Sequence, residues 1–445
     1  MRGSELLTAI QRFAYGIGRL GSSLLLSVFS LASVYVYWGL FHLDPVLTGW
    51  ANAIGKIVIA VSGFLAGYVS DVTVTRWGRR KPYVVIGAPL LAVSFVLYFT
   101  PQYFVMPGDQ LALFAYATFF NSLFHLSYGL LLTPFQSWMP EITEPPERVG
   151  LSRIQNVSNI LSNAIGVLLG FVMPTLLSNP SDVKGILLLA GLACLEILLY
   201  IPSLVMLPVE RKPAPRPDIV REVRIVTSNG SYMKWLLAQG LVSVATTMVT
   251  SVILSYVTTV LGIEGALGSV GFAVVLLVMM IVFFYVWGHI AAKRGKGKTL
   301  LISNLVLVIV LPFTLVLGQF TLPVDTIVLG YLFIAMGAIG LSGFQLFPYA
   351  IIADLVHKDE IKTGENRAGM YTGFNSIPLN IFQTLSYVIS GYLLAMPEVP
   401  GKGYTGGLIW WGPVCVLFVV LGSLVLLKTN VDPELQNQDA GSRAK

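Results

Sequence analysis

The feature that most limits what this chain can fold into is a stretch of about twenty apolar residues that recurs from one end to the other, each cut short by a turn. Hydrocarbon offers the backbone no hydrogen-bond partners, so segments of this kind cross a bilayer as α-helices. The pattern predicts an all-α membrane protein with twelve transmembrane helices. They fall near residues 14–41, 48–70, 82–101, 110–139, 150–178, 183–208, 232–261, 266–292, 299–319, 324–355, 368–395 and 405–428. Of the 445 residues 55% are hydrophobic and only 11% charged, more apolar surface than a soluble fold could hide.

The turns set the orientation. With both termini in the cytoplasm, the inward-facing segments hold 25 of the 28 Lys and Arg, all but three. The outward loops then carry only Lys184 and Lys402, and Lys56 alone lies deep inside a span. This bias predicts a multi-pass protein of the cytoplasmic membrane, with Met1–Arg12 as a short basic lead that lacks a cleavable signal pattern. The basic residues are scattered over short loops, which speaks against nucleic acid as a partner and leaves the lipid bilayer. Cys194 and Cys415 both sit in apolar runs and read as small core residues. No Asp/Glu cluster suits a metal-bound pyrophosphate, and His42, His125, His289 and His357 are too dispersed for a zinc protease. No enzyme activity, metal or cofactor is expected.

The longest polar break, Val209–Met233, divides the chain into an N-terminal bundle (residues 1–208), a cytoplasmic linker (209–231), a C-terminal bundle (232–428) and a tail (429–445). The halves parallel each other. Glu147-Arg148-Val149-Gly150-Leu151, followed by Asn156, matches Asn366-Arg367-Ala368-Gly369-Met370, followed by Asn375; Pro140-Glu141-Ile142 matches Ala353-Asp354-Leu355. Parallel repeats of this kind build transporters whose substrate site lies between the halves near the midplane.

Two loops carry a family resemblance. Asp71 through Pro82, with its Arg-x-Gly-Arg-Arg-x-Pro core, resembles the loop between spans two and three of the major facilitator superfamily. More narrowly it resembles the glycoside–pentoside–hexuronide:cation symporters and the plant sucrose transporters. Ala353 through Tyr371 is similar to the loop between spans ten and eleven of the same symporters, and Tyr15-Gly16-Ile17-Gly18 fits their first span. The resemblance implies two pseudo-symmetric six-helix bundles and secondary transport of a sugar or glycoside by alternating access, with protons as a further partner. It also implies what is missing. The cation-binding aspartates of melibiose-permease-like members fall at Ile59 and Gly63, their sugar-contacting acid at Ser23, their span-four acid at Leu132 and their span-five Arg at Asn156. Transport is therefore expected to be proton-coupled or uncoupled and not sodium-dependent. A lysolipid or other amphiphile carrier of the same fold is the alternative.

Candidate substrate-binding residues follow from polar faces within spans. They are Ser23 and Ser27 in span one; Asn121, His125, Tyr128 and Gln136 along span four; Asn156 and Asn159 in span five; Gln239 in span seven. Span ten adds Gln345 and Tyr349, and span eleven Asn375 and Asn380. Amides, hydroxyls and aromatic rings suit an uncharged polyhydroxylated ligand, although helix–helix hydrogen bonding uses the same residue types. His125, Lys56 and Glu141 are candidates for coupling, since ionisable groups at membrane depth are costly and carry a default functional hypothesis. Lys56 could equally reach the outer interface. Asp71, Arg76, Arg79, Arg148, Asp354 and Arg367 are gating candidates, with an Asp71–Arg76 latch foremost; Glu141–Arg148 and Asp354–Arg367 could instead be structural salt bridges. Glu196, on a span peripheral in the superfamily, reads as a protonated or helix-bonded structural acid.

Overall fold

The computed structural model describes residues 7–73, 75–143, 145–178, 183–209, 219–263, 265–320, 323, 325–363, 368–429 and 431–432. Apart from one isolated two-residue bridge, their regular structure is helical. In chain order the helices are α1 (Ala9–Tyr35), α2 (Pro45–Val72), α3 (Lys81–Tyr98), α4 (Gln110–Ile142), α5 (Pro145–Leu177), α6 (Val183–Met206) and α7 (Ile219–Ser228). Then come α8 (Gly230–Ser255), α9 (Gly265–Arg294), α10 (Lys296–Val310), α11 (Thr326–Leu346), α12 (Pro348–Thr363), α13 (Ala368–Leu394) and α14 (Gly407–Leu427). Eleven segments are long and apolar enough to cross a membrane, α11 and α12 counting as one span, Thr326–Ile361. Helix α4 supplies the twelfth: it is long enough at 33 residues, but Asn121, His125 and Gln136 dilute its apolar run.

Helix starts follow local chemistry. Asp44, Asp109 and Asp325 each accept backbone N–H groups at the head of α2, α4 and α11, satisfying donors that have no partner within the helix. Thr8 and Gln11 form a reciprocal capping box on α1. Gly78 and Gly295 sit at φ 91° and 90° just before α3 and α10. That left-handed conformation favours glycine, and it lets each basic turn reverse the chain within a few residues.

The chain divides into two compact units, Met1–Arg216 and Pro217–Lys445. Each has the same internal plan. In the first, α1 packs on α5 and α6, α4 packs on α2 and α3, and α3 packs on α6. In the second, α8 packs on α13 and α14, α11 packs on α9 and α10, and α10 packs on α14. A five-residue π segment ends both lead helices, Val36–Leu40 after α1 and Tyr256–Val260 after α8. Helix–helix association in lipid rests on close packing, and small residues provide it. The first core gathers Tyr15, Phe29, Tyr98, Phe124, Phe135 and Trp138, all essentially buried.

The segment expected as a solvated linker is partly ordered. Its last part forms α7, whose Val226 is buried with Tyr232 and Trp235 in a core cluster of the second unit. One apolar face is enough to dock a ten-residue helix that would be marginal alone. Residues 210–218 lie outside the described residues.

Candidate functional site

The polar residues of α2 and α4 meet at the middle of the first unit. Asn121 Nδ2 donates to Asn52 Oδ1 at 3.1 Å, and Asn52 Nδ2 donates to the Thr48 carbonyl at 3.0 Å. One turn further, His125 Nδ1 lies 3.0 Å from the Asn121 carbonyl. A carbonyl can only accept, so Nδ1 carries the proton and Nε2 presents a lone pair. The ring stands edge-on to Phe29 and Phe124, with centroids 5.3 and 5.4 Å away. Asn121 is 0% and His125 2% exposed.

Two glycines let the helices come this close. A Cβ on Gly55 would overlap the Asn121 amide and crowd His125 Nδ1, and one on Gly129 would overlap Ser62. The Ser62 hydroxyl in turn donates to the His125 carbonyl at 3.3 Å. Because Asn52 faces Asn121, residue 56, one turn along α2, comes level with residue 125, one turn along α4. Lys56 is accordingly the charged side chain that acts on the His125 ring. It is half-buried, about 16 Å along α2 from Pro45.

The cluster is unfinished as a hydrogen-bonding unit. Asn121 Oδ1 and His125 Nε2 are buried acceptors with no partner among the described residues. Elsewhere in the first unit Ser23 Oγ and Gln155 Nε2 share that condition, and in the second unit Gln239 Oε1 and Asn375 Oδ1 do. Buried polar groups are normally paired, so such atoms mark places that await a polar ligand.

The remaining candidates divide by environment. Tyr128 is buried beside the cluster, whereas Gln136 is exposed. Fifteen residues past Asn121 is a little over four turns, which swings Gln136 about 60° off the stripe. Ser27 donates to the Asn163 carbonyl of α5 at 3.3 Å, a helix–helix bond. Asn156, Gln345 and Tyr349 are exposed; Asn159 and Asn380 are half-buried, and Asn380 bonds back to the Ser376 carbonyl at 2.8 Å. Gln239 and Asn375 are not brought level. Helices α8 and α13 run with residue 240 against 382 and the Ser386 hydroxyl on the Val244 carbonyl. This register separates the two amides by about 9 Å along the axis.

The gating candidates are rearranged. Asp71 pairs with Arg80, not Arg76, whose guanidinium stands 5.3 Å from the ring of its neighbour Trp77. Arg80 is the hub: 3% exposed, it bonds Asp71, Ser70 and, at 2.6 Å, Glu141. Arg79 adds a second bond to Glu141 at 2.9 Å. The physical reason is the turn itself. Gly78 folds residues 79 and 80 back over the end of α2, while Arg76 is carried outward on the loop. In the second unit Asp354 takes Lys296, just after Gly295, at 2.7 and 2.6 Å. The two acids that run parallel in sequence thus make the same bond, each to the basic turn of its own unit. The side chain of Arg148 and all of Arg367 lie outside the described residues, so their expected bonds to Glu141 and Asp354 do too.

Sequence reasoning missed Asn52, Arg80 and Lys296. Asn52 had a signal, since it stands one turn before Lys56 on an otherwise apolar helix. Arg80 and Lys296 had none beyond their charge.

The model of the MFS/sugar transport protein family matches residues 14–404. The chain is 24% identical over 401 residues to an isoprimeverose transporter of Lactiplantibacillus pentosus, covering 86% of this chain and 80% of the relative. It is 23% identical over 395 residues to a glucuronide carrier protein homolog of Escherichia coli (strain K12), covering 86% and 82%. Its fold is similar to the crystal structure of the nucleoside transporter NupG, with a TM-score of 0.69, 14% identity and coverage of 94% and 100%.

Proposed function

The chain belongs to the MFS/sugar transport protein family, and on that premise we propose that it carries a sugar or glycoside across the cytoplasmic membrane by alternating access, with both termini in the cytoplasm. The observation that carries this reading is the Asn52–Asn121–His125 cluster with its two unpartnered acceptors. Sugar hydroxyls donate hydrogen bonds, and the phenyl rings of Phe29 and Phe124 beside the cluster offer an apolar wall. An amphiphile would call for an apolar cavity open to lipid, and buried amides are poor lining for that. The substrate is expected to span both bundles, so Gln239 and Asn375 are proposed as the facing contacts of the second unit. The Arg80 and Lys296 clamps are proposed to hold one gated state closed. A thermal-shift screen of the purified protein against a panel of neutral and acidic glycosides, with and without sodium and at two pH values, tests the reading. Failure of every sugar alongside a shift with lysolipid would replace it by the amphiphile carrier.

The same residues bear on the coupling ion. Sodium needs several oxygen ligands. The described part of α2 between Asn52 and Ser70 holds no carboxylate, and Lys56 places an ammonium there instead. Replacing sodium by choline is therefore expected to leave glycoside uptake unchanged, and clear stimulation by sodium would overturn the expectation. Lys56→Gln is expected to weaken uptake of acidic glycosides at least tenfold, about 1.4 kcal/mol, while sparing neutral ones. No change for either class would return the lysine to an interfacial role.

A further inference from the structure

The seam between α1 and α6 holds an acid that sugar recognition and gating do not employ. Glu196 lies about 15 Å along α6 from its Met206 end. It is 0% exposed, and neither Oε1 nor Oε2 has a hydrogen-bond partner among the described residues. The helix-bonded acid expected at this position is therefore not what stands here. Gly21 of α1 seats the carboxyl, because a Cβ there would overlap Oε2 and approach the Glu196 backbone.

The groups around it are few. On its own helix Tyr200 shares a 2.9 Å hydrogen bond with Ser22 of α1. Arg19 of α1 and Tyr128 of α4 act, together with Glu196, on that tyrosine hydroxyl, and Arg19 Nε is itself buried without a partner. Arg19 also acts on Tyr15, whose hydroxyl donates to the Phe135 carbonyl. Helix α3 brings Lys81, but its ammonium is bonded to the Leu204 and Leu207 carbonyls, both at 2.9 Å. The α3 tyrosines are engaged elsewhere, Tyr83 with Thr73 and Tyr98 against Phe29 and Tyr37. The described side chains of α5 include no titratable group.

A carboxylate in this seam, with no donor, would cost several kcal/mol that nothing around it returns. A carboxyl kept uncharged with both oxygens idle contributes no bond that an apolar residue would lack. What distinguishes it from leucine or glutamine here is the ability to change charge, and a buried acid in a membrane span is a functional group by default. We propose that Glu196 is a proton-carrying site. In the conformation described here the carboxyl holds a proton. When α1 shifts against α6 the O–H bond breaks, the proton passes to water, and the carboxylate pairs with the idle guanidinium of Arg19. Charge and atoms balance without a co-reactant. As a coupling site the proposal rests on the transport reading; as a proton site it does not.

Glu196→Gln keeps the size of the side chain, and its melting temperature is expected to match that of wild type. Infrared spectra of the purified wild type are expected to show the carbonyl band of an uncharged, non-hydrogen-bonded carboxyl that shifts in deuterium oxide and is missing from the variant. In proteoliposomes, accumulation of isoprimeverose or methyl glucuronide driven by an imposed pH gradient is expected to be lost in the variant, with sugar–sugar counterflow unchanged. A band identical in both proteins overturns the proton site, and gradient-driven accumulation surviving in the variant overturns its part in coupling. Absence of counterflow in the wild type would instead count against the proposed substrates, with the infrared band still deciding whether Glu196 carries a proton.

Discussion

Arg80→Ala is expected to lower the unfolding free energy of the first unit by about 3 kcal/mol, because it strips a buried cation from two carboxylates at once. Asp71 would lose its charged partner, while Glu141 would keep only Arg79. Arg80→Lys restores a charge without the planar fork that reaches both acids, and is expected to recover less than half of the loss. Arg76→Ala is expected to stay within about 0.5 kcal/mol of wild type, since its side chain is exposed over Trp77. Thermal or denaturant unfolding in detergent reads all three. An Arg76→Ala variant as unstable as Arg80→Ala would mean that the loop latches through the other arginine. Cysteines placed on either side of the membrane report the gate: the Arg80 variants should shift labelling toward the opposite opening while the protein remains folded.

The second large effect is expected at the amide pair. Asn121→Leu leaves Asn52 Oδ1 buried without its donor, which is expected to cost about 1–3 kcal/mol of stability. The double variant Asn52→Leu/Asn121→Leu removes both partners and should recover most of that loss, as paired polar groups replaced together are close to neutral. Binding is expected to behave differently. Both variants should lose glycoside affinity by at least 100-fold, about 2.7 kcal/mol, because the acceptors themselves are gone. Melting temperature and glycoside affinity measured on the same preparations separate the two roles. If affinity returns with stability in the double variant, the pair is a structural bond and the substrate sits elsewhere.

The fold was largely legible in the chain itself. Apolar runs too long for a soluble core, cut by short basic turns, dictate membrane helices and their number, because hydrocarbon leaves the backbone no other way to satisfy its hydrogen bonds. The internal parallels Pro140-Glu141-Ile142 and Ala353-Asp354-Leu355 announced a repeat, and the two units indeed pack their helices in the same pairs. One expected element changed character, the linker whose end folds as α7, since whether a short amphipathic segment docks depends on a partner face that its own residues do not describe. The inventory of the site was also in the chain: Asn121, His125 and Lys56 stand out because polar side chains are rare and costly at that depth.

Pairing was not legible. Arg76 and Arg80 are both basic residues of one loop, and only the reversal at Gly78 decides which of them turns back onto Asp71 and Glu141. Asn52 and Asn121 are 69 residues apart, so their bond depends on the lateral register of α2 against α4. That register is set by the close approach at Gly55 and Gly129. Glu196 makes the same point from the other side: its residue type announced a cost, but only the packing of α6 on Gly21 showed that no hydrogen bond offsets it. Hydrophobicity and backbone satisfaction are properties of a segment, and the sequence by itself determined their consequences, the helices and their number. Hydrogen bonds and ion pairs act over about 3–4 Å between segments distant in the chain, and these only the tertiary structure decided.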